Sequence, residues 1–448
     1  MGIKQDQRQD ARDLAVLTLY RLEASQRPVQ AVLNRILTHA GCERADAALC
    51  AEISYGALRM EIRLRWLLAR FLKAPDKLPP HMLCILLVAV YCLLFLEVMP
   101  GHSIVDWAVE SVKLRHGRTL SRVANACLRA ICREGEAPHE YAYYRADGKD
   151  ILEQQALYHA LPLWIARLWH DGYGPDKAAR LMAKSAARPA VGLRVNRLRP
   201  GWERLARQID ASGAQRLTIA CHVAAPHWRV HLEEQCRLSE LLAEGKLSRQ
   251  GAGSQLALHV LLPETWPDPL WDACAGQGGK SCALLEQGKE VRIASDTHAP
   301  RLRRISSECR RLGLPAPLLV QASALYPPLR IKPGTIVLDV PCSGLGVLAA
   351  RPDIRRKRQT AQIPHLARVQ ADMLESAYAA LPPGGHIAYI TCTQNPDENE
   401  GQIRAFLGRH PGAILEREWN SPAEDMLIEG MYAALVVKSA QPSFARFP

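Results

Sequence analysis

The sequence predicts a doubly wound α/β domain with a mostly parallel sheet in its C-terminal half, preceded by an all-α domain and a small α+β module. Three features of the chain point to this arrangement. Apolar residues recur at helical spacing from Ala11 to about Arg133, a polar stretch with Gly135, Pro138 and Gly148 follows, and from about Leu256 short apolar runs ending in Gly, Asp or Pro alternate with helix-length polar segments. The domains are placed at 1–145, 146–235 and 236–448.

In the first domain Leu14, Leu17 and Leu22 form one apolar stripe, and Val105, Ala108, Val109 and Val112 form another behind Ser103, read as an N-cap. Met82–Leu96 is apolar throughout, but it ends at Glu97, short of the roughly 20 residues a bilayer span needs, and is read as a core helix. Lys113, Arg115, Arg118, Arg122, Arg129 and Arg133 offer either a nucleic-acid face or a solvated helix surface. The stretch from Glu134 to Asp150 reads as a linker. In the module, helices over Ile151–His170 and Asp176–Ser185 lead to the alternating run Val191–Asn196 and a helix around Trp202–Ile209. In the last domain strands are expected at Leu270–Ala273, Val291–Ser295, Thr335–Val340 and His386–Thr391, with helices at Lys280–Gln287, Ala299–Leu312 and Leu366–Leu381.

Of the 448 residues 48% are hydrophobic and 23% charged, which excludes a wholly disordered, collagen-like or membrane-embedded chain. Lysine and arginine (57) exceed aspartate and glutamate (45), and the net charge of +12 favours a polyanionic partner, nucleic acid before acidic lipid. The 13 cysteines are odd in number and contain no Cys-x-x-Cys pair or zinc-type Cys/His block, so reduced thiols and no metal are expected. The start Met1-Gly2-Ile3-Lys4-Gln5-Asp6 has no apolar signal core, and Asp6 breaks the myristoylation pattern; the expected compartment is the cytoplasm. A monomer is the default expectation.

Ligands of doubly wound sheets bind beyond the carboxyl ends of the strands. There the first strand runs into Asp272-Ala-Cys-Ala-Gly-Gln-Gly-Gly-Lys-Ser281, whose Gly276, Gly278 and Gly279 permit a tight turn and close backbone approach to a nucleotide-like ligand. A phosphate-binding loop would need glycine at Cys274, and the dinucleotide fingerprint starting at Gly276 would need it at Ser281, so both patterns miss by one residue. Asp296 ends the second strand, where an acid commonly accepts hydrogen bonds from ribose hydroxyls. Two later strands each end in a cysteine, Cys342 and Cys392, on this ligand side of the sheet, a placement that suits reactive thiols better than packing ones.

These segments carry a resemblance. Asp272–Ser281 is similar to the cofactor motif of the Sun (RsmB-type) family of S-adenosylmethionine-dependent RNA cytosine-C5 methyltransferases. Asp339-Val-Pro-Cys-Ser-Gly-Leu-Gly-Val347, followed by Arg351-Pro-Asp-Ile, resembles the motif around the family's first cysteine, and Thr391-Cys-Thr-Gln-Asn-Pro-Asp-Glu-Asn-Glu400 the motif around its second. The N-terminal region, including Asn125-Ala-Cys-Leu-Arg129, resembles the NusB-like RNA-binding domain of the bacterial rRNA enzymes, and Leu193-Arg-Val-Asn196 a stretch of their central module.

The resemblance implies a Rossmann-like class I methyltransferase domain acting on cytosine C5 in RNA, most naturally small-subunit ribosomal RNA, with S-adenosylmethionine as cofactor. It implies Cys392 as the nucleophile toward cytosine C6, Cys342 as the thiol that helps resolve the adduct, and Asp339 as the group near N3 of the base. It implies that Cys274, Ala275, Gly276, Gln277, Gly278, Gly279 and Lys280 surround the methionine and ribose end of the cofactor, with Asp296 on the ribose and Asp339 close by. Ser323 stands where the family's adenine-contacting acid is usual, and Gly276-Gln277 where Ala-Pro is usual. The basic run Arg351, Arg355, Arg356, Lys357 and Arg358 is expected to hold RNA phosphates, whereas Arg301, Arg303, Arg304, Arg310 and Arg311 are divided between that role and a solvated face. Two other readings remain open: an RNA-binding ribosome-assembly factor with a degenerate methyltransferase fold, and a tRNA cytosine-C5 methyltransferase.

Overall fold

A computed structural model describes residues 10–97, 99–145, 150–226 and 237–440. Gly2, Asp6, Gly148, Cys236 and the boundary at 235/236 lie outside the described residues. The chain forms two compact units, Met1–Arg188 with Leu348–Arg358, and Pro189–Val347 with Gln359–Pro448.

The first unit is helical: α1 Ala11–Glu23, α2 Val29–Ala40, α3 Arg44–Phe71, α4 Pro80–Phe95, α5 Gly101–Arg133, α6 Ile151–Tyr158, α7 Leu163–Tyr173 and α8 Pro175–Ala186. Leu14 and Leu22 of α1 are buried, as are Val105, Ala108 and Val112 of α5. In α4 every residue from Met82 to Cys92 is buried, because other helices cover it on all sides. Among the described residues no helix is long and apolar enough to cross a membrane. Helix α5 starts two residues before the expected cap: Pro100 takes the N-cap position without a side-chain bond, and Ser103 lies inside the first turn. The six basic side chains from Lys113 to Arg133 are exposed, and Gly117, at φ 85°, kinks α5 in their midst.

Two expectations change here. The stretch after α5 is not a loose linker where it is described, since Pro138 and Tyr144 are buried in short turns. Arg63 organises it, donating from Nε to Tyr144 Oη at 2.7 Å and from Nη1 to the Tyr158 carbonyl at 3.3 Å. The single helix expected over Ile151–His170 is two helices, because Pro162 lacks an amide hydrogen and Ala160 adopts φ 50°.

The second unit begins with a four-stranded antiparallel sheet in the order β2-β3-β1-β4, built from β1 Val191–Val195, β2 Gln215–Arg216, β3 Cys221–Ala224 and β4 Leu247–Arg249. The helix Trp202–Ala211 packs on it through Leu205 and Ile209. A buried ion pair, Arg194 Nε to Glu286 Oε2 at 2.8 Å, ties β1 to the helix Gly279–Glu286 of the larger layer.

That layer contains β5 Leu270–Asp272, β6 Val291–Asp296, β7 Leu318–Gln321, β8 Thr335–Asp339, β9 His386–Thr391, β10 Ala413–Asn420 and β11 Tyr432–Lys438. The described strands form one sheet in the order β10-β11-β9-β8-β5-β6-β7. From β9 to β7 every pairing is parallel, and β11 and β10 add an antiparallel edge. The chain enters at β5, builds outward through β6 and β7, then returns to place β8 on the other side of β5. The crevice between the ends of β5 and β8 is therefore the switch point where such sheets bind ligands. Apolar clusters pack on both faces of the sheet, one around Leu284, Ile305 and Leu435, the other around Trp271, Leu338, Leu374 and Phe406.

Candidate functional site

The Gly-rich turn between β5 and the helix Gly279–Glu286 adopts left-handed conformations at Gly276 (φ 56°) and Gly278 (φ 86°). At Gly278 a Cβ would lie 2.9 Å from Ile305 Cγ1, so glycine is required for packing as well as for backbone conformation; at Gly276 a Cβ would meet nothing within 4 Å, so the turn faces open space there. Asp296, almost buried, accepts from Gly276 N at 3.0 Å and from His298 N at 2.8 Å, so the acid after β6 shapes the turn after β5. Ser323, after β7, accepts at its hydroxyl from Leu325 N at 3.2 Å and remains able to donate. Cys274, partly exposed among carboxylates, has its thiol raised above the ordinary range by desolvation and then by the charges of Asp272, Asp339 and Asp296.

Asp272 is buried at the end of β5. Ser281 Oγ donates to its Oδ2 at 2.5 Å, while Oδ1 is buried with no hydrogen-bond partner. Burial pushes its carboxyl up to about 6, against the Ser281 bond and with help from the charge of Asp339. Lys280 Nζ donates to Asp339 Oδ2 at 2.6 Å. Burial works against the ammonium, but Asp339 and then Cys392 outweigh it and hold Lys280 above the usual lysine range.

Strand register brings the two cysteines together. Asp339 of β8 lies opposite Ile390 of β9, Val340 N donates to the Ile390 carbonyl at 3.1 Å, and the chains run on in parallel to Cys342 and Cys392. Their sulfurs are 3.3 Å apart, and Cys392 N points at Cys342 Sγ at 3.4 Å. Both residues are partly exposed. Gly346 permits a close crossing beneath them: its N donates to the Cys392 carbonyl at 3.1 Å, and a Cβ there would lie 1.9 Å from the Gly430 carbonyl oxygen. The shared thiol proton, burial and the charges of Cys392 and Glu398 push Cys342 well above the ordinary thiol range. The two sulfurs are thus in unequal surroundings: Cys392 is among the charges felt by the Lys280 ammonium, and Cys342 is among those facing the Glu398 carboxylate.

The structure thereby gathers Cys342, Cys392, Asp339 and Lys280 at the tips of adjacent strands, and Gly276 with Asp296 at the neighbouring turn. It departs from expectation at the basic run after the first cysteine motif. Leu348–Arg358 belongs to the helical unit, where Arg355 is buried and donates to the carbonyls of Arg59, Ala160 and Ser185. Arg356 pairs with Glu23 and Glu61, and Lys357 with Asp353, so these cations bind protein acceptors before any phosphate. The second basic group is more open: Arg301, Arg303, Arg304 and Arg310 are exposed. Arg304 bonds Gln277 of the Gly-rich turn at 3.0 Å and lines a cleft of about 750 Å³ with Arg194, Arg249 and Arg311.

Sequence reasoning missed the polar residues beneath the cysteine loops: Ser343, Gln370, Thr393 and Glu398, each fully buried. A signal was present in Asp397-Glu398-Asn399-Glu400, an acidic run inside a motif, but which acid turns inward is a property of the fold.

The fold defines the class: a Rossmann-like methyltransferase domain carrying an N-terminal NusB-like helical domain. Residues 259–438 match the family model for 16S rRNA methyltransferase RsmB/F, and residues 9–133 match the NusB family. The chain is 30% identical over 415 residues to the ribosomal RNA small subunit methyltransferase B of Vibrio vulnificus, covering 88% of this chain and 92% of that one. It is 29% identical over 427 residues to a probable ribosomal RNA small subunit methyltransferase B of Synechocystis, covering 92% of each. The solved structure of PH0851 shares the fold, with a TM-score of 0.73 at 21% identity over 97% of this chain and 99% of that one. The chain belongs to the RsmB family and is an rRNA methyltransferase of the RsmB/F type.

Proposed function

We propose that this protein methylates cytosine C5 in small-subunit ribosomal RNA through a transient bond between Cys392 and C6 of the base. The observation that carries the reading is the sulfur pair at 3.3 Å, set beside the Lys280–Asp339 ion pair at the ligand-binding ends of β8 and β9. S-adenosylmethionine fits the neighbouring turn, since the space in front of Gly276 is open and the Asp296 carboxylate is tied to that turn; Cys274–Lys280 would hold its methionine and ribose end, Asp296 its ribose and Ser323 its adenine edge. When bound, it supplies an electrophilic methyl group.

Cytosine C5 is a poor nucleophile until a thiolate adds at C6 and pushes the ring electrons toward C5. Cys392 suits that step because the Lys280 ammonium favours the charged form of a nearby thiol. Electron density displaced into the base collects at N3, and the proton held between Lys280 and Asp339 is placed to steady it. After C5 has gained its methyl group, the C5 proton must leave and the S–C6 bond must break to return the Cys392 thiolate. Cys342 serves this release. While Cys392 is a thiolate, the pair shares one proton and Cys342 keeps it; once Cys392 is a neutral thioether, its charge no longer holds that proton, Cys342 gives it up to solvent, and the Cys342 thiolate takes the proton from C5 as the C5–C6 double bond re-forms and the S–C6 electron pair returns to Cys392. The target base must leave its stack for the sulfur to reach C6.

The test is a pair of substitutions assayed on unmodified 16S rRNA transcript. Cys392→Ala abolishes methyl transfer, whereas Cys342→Ala accumulates a protein–RNA adduct that survives a denaturing gel. An active Cys392→Ala with an inactive Cys342→Ala would exchange the two roles, and bisulfite sequencing that finds no modified cytosine would sink the reading.

A further inference from the structure

Beneath the cysteine pair lies a carboxylate that the chemistry above does not use. Glu398 is fully buried in the turn Pro396–Glu398. Its Oε1 accepts from Ser343 N at 2.8 Å and from Gln370 Nε2 at 3.0 Å. Its Oε2 accepts from Ser343 Oγ and from Asn395 Nδ2 at 2.9 Å. Ser343 follows Cys342 directly, and Asn395 lies three residues beyond Cys392, so one side chain grips both loops. The grip is reinforced at two points: Ser343 Oγ and Thr393 Oγ1 are 2.6 Å apart, and Gln370 Nε2 also donates to the Pro341 carbonyl at 2.9 Å. Among the described residues no Lys, Arg or His forms an ion pair with Glu398. Four neutral donors therefore satisfy it, an arrangement that only a carboxylate, accepting on both oxygens, can complete.

We propose that Glu398 is the positioning residue of the cysteine pair: its carboxylate locks the loop after Cys342 to the loop after Cys392 and holds the two sulfurs where one proton serves both. The proposal rests on the reading of Cys392 as nucleophile and Cys342 as release thiol, and deepens it. The charge of Glu398 also falls on the Cys342 side of the pair, where it opposes ionisation of that thiol and leaves Cys392 as the sulfur that attacks. Two thiols a few ångströms apart could otherwise exchange roles. The asymmetry comes from Glu398 on one side and Lys280 on the other.

Glu398→Gln sets an amide NH₂ against the two donors of one oxygen, Ser343 N with Gln370 Nε2 or Ser343 Oγ with Asn395 Nδ2, and pries the loops apart. In the full-length protein, with unmodified 16S rRNA transcript and labelled S-adenosylmethionine, turnover falls on the order of a hundredfold, the cost of misplacing a reacting group by about 1 Å. The variant accumulates the same denaturation-resistant adduct as Cys342→Ala, because Cys392 still adds while release is impaired. Adding Glu398→Gln to Cys342→Ala leaves the adduct yield unchanged. Ser343→Ala, which removes the hydroxyl shared by Glu398 and Thr393 but keeps the Ser343 N bond, gives a milder form of the same phenotype and serves should Glu398→Gln fail to fold. Wild-type turnover in Glu398→Gln, or in Ser343→Ala if that alone folds, overturns the proposal. So does loss of the adduct when Glu398→Gln joins Cys342→Ala, which would make the carboxylate a general support of the fold. Absence of an adduct in Cys342→Ala alone would instead overturn the reading beneath.

Discussion

Lys280 Nζ lies 2.6 Å from Asp339 Oδ2, joining the first turn of the helix after the Gly-rich loop to the end of β8, across the crevice where the strand order reverses. Lys280 is nearly buried and Asp339 about a third exposed, so the pair has one face toward the protein and one toward a ligand. Removing the cation leaves a partly buried carboxylate unpaired and takes a positive charge away from Cys392. Lys280→Met is therefore expected to move alkylation of Cys392, followed with iodoacetamide in a Cys342→Ala background, to higher pH. Methyl transfer should fall by roughly a hundredfold, the scale of one lost electrostatic contact in a closed site. An unshifted alkylation profile would remove Lys280 from the account of Cys392.

Asp272 makes stability depend on pH. Its folded carboxyl, near 6, lies above the ordinary value of 3.8, so the folded state binds the proton more tightly than the unfolded chain. That contribution is complete below about pH 4 and is lost as pH rises through about 6, a span worth about 3 kcal/mol at 1.36 kcal/mol per pKa unit. Asp272→Asn cannot ionise, so its stability relative to wild type should rise across this window. Melting temperatures of the two proteins between about pH 4 and 7 test this. A constant difference would mean that Asp272 is already ionised in the fold.

Arg355 offers a test of the departure from sequence expectation. Its guanidinium donates to backbone carbonyls, and burial pulls it down to about 9, with Arg59 adding to the effect. Arg355→Gln should leave some of those carbonyls without donors, each costing about 1–3 kcal/mol, and lower the melting temperature. The slope of RNA affinity against salt should not change, since that slope counts cations on phosphates. A shallower slope with an unchanged melting temperature would return Arg355 to the RNA.

The strands that carry the site were legible because each ends at a residue that stops a ladder: the runs beginning at Leu270, Val291, Thr335 and His386 differ from the observed strands by at most one residue. Strands β7, β10 and β11 were not anticipated. β7 is four residues long, has no fully buried position and runs from Val320 into Gln321 and Ala322 with no Gly, Asp or Pro to close it, and β10 is largely solvated, its apolar residues broken by Glu416, Arg417 and Glu418. β11 does carry a continuous apolar run, Tyr432–Val436, but it follows a long loop and pairs antiparallel, outside the βα alternation that identified the others. Within the basic run, Arg355, Arg356 and Lys357 misled for a related reason: charge can be counted along a chain, but its acceptors cannot.

By itself the sequence determined the βα alternation, the Gly-rich turn, the acid after β6 and the two cysteines at strand ends, because each depends on local periodicity or on residues a few positions apart. Only the tertiary structure decided that Cys342 and Cys392 meet at 3.3 Å, that Lys280 reaches Asp339 and that Glu398 turns inward beneath both thiol loops. The reason is register. Fifty residues separate the sulfurs along the chain, and their distance is set by how β8 pairs with β9, a long-range choice made by the packing of the whole sheet.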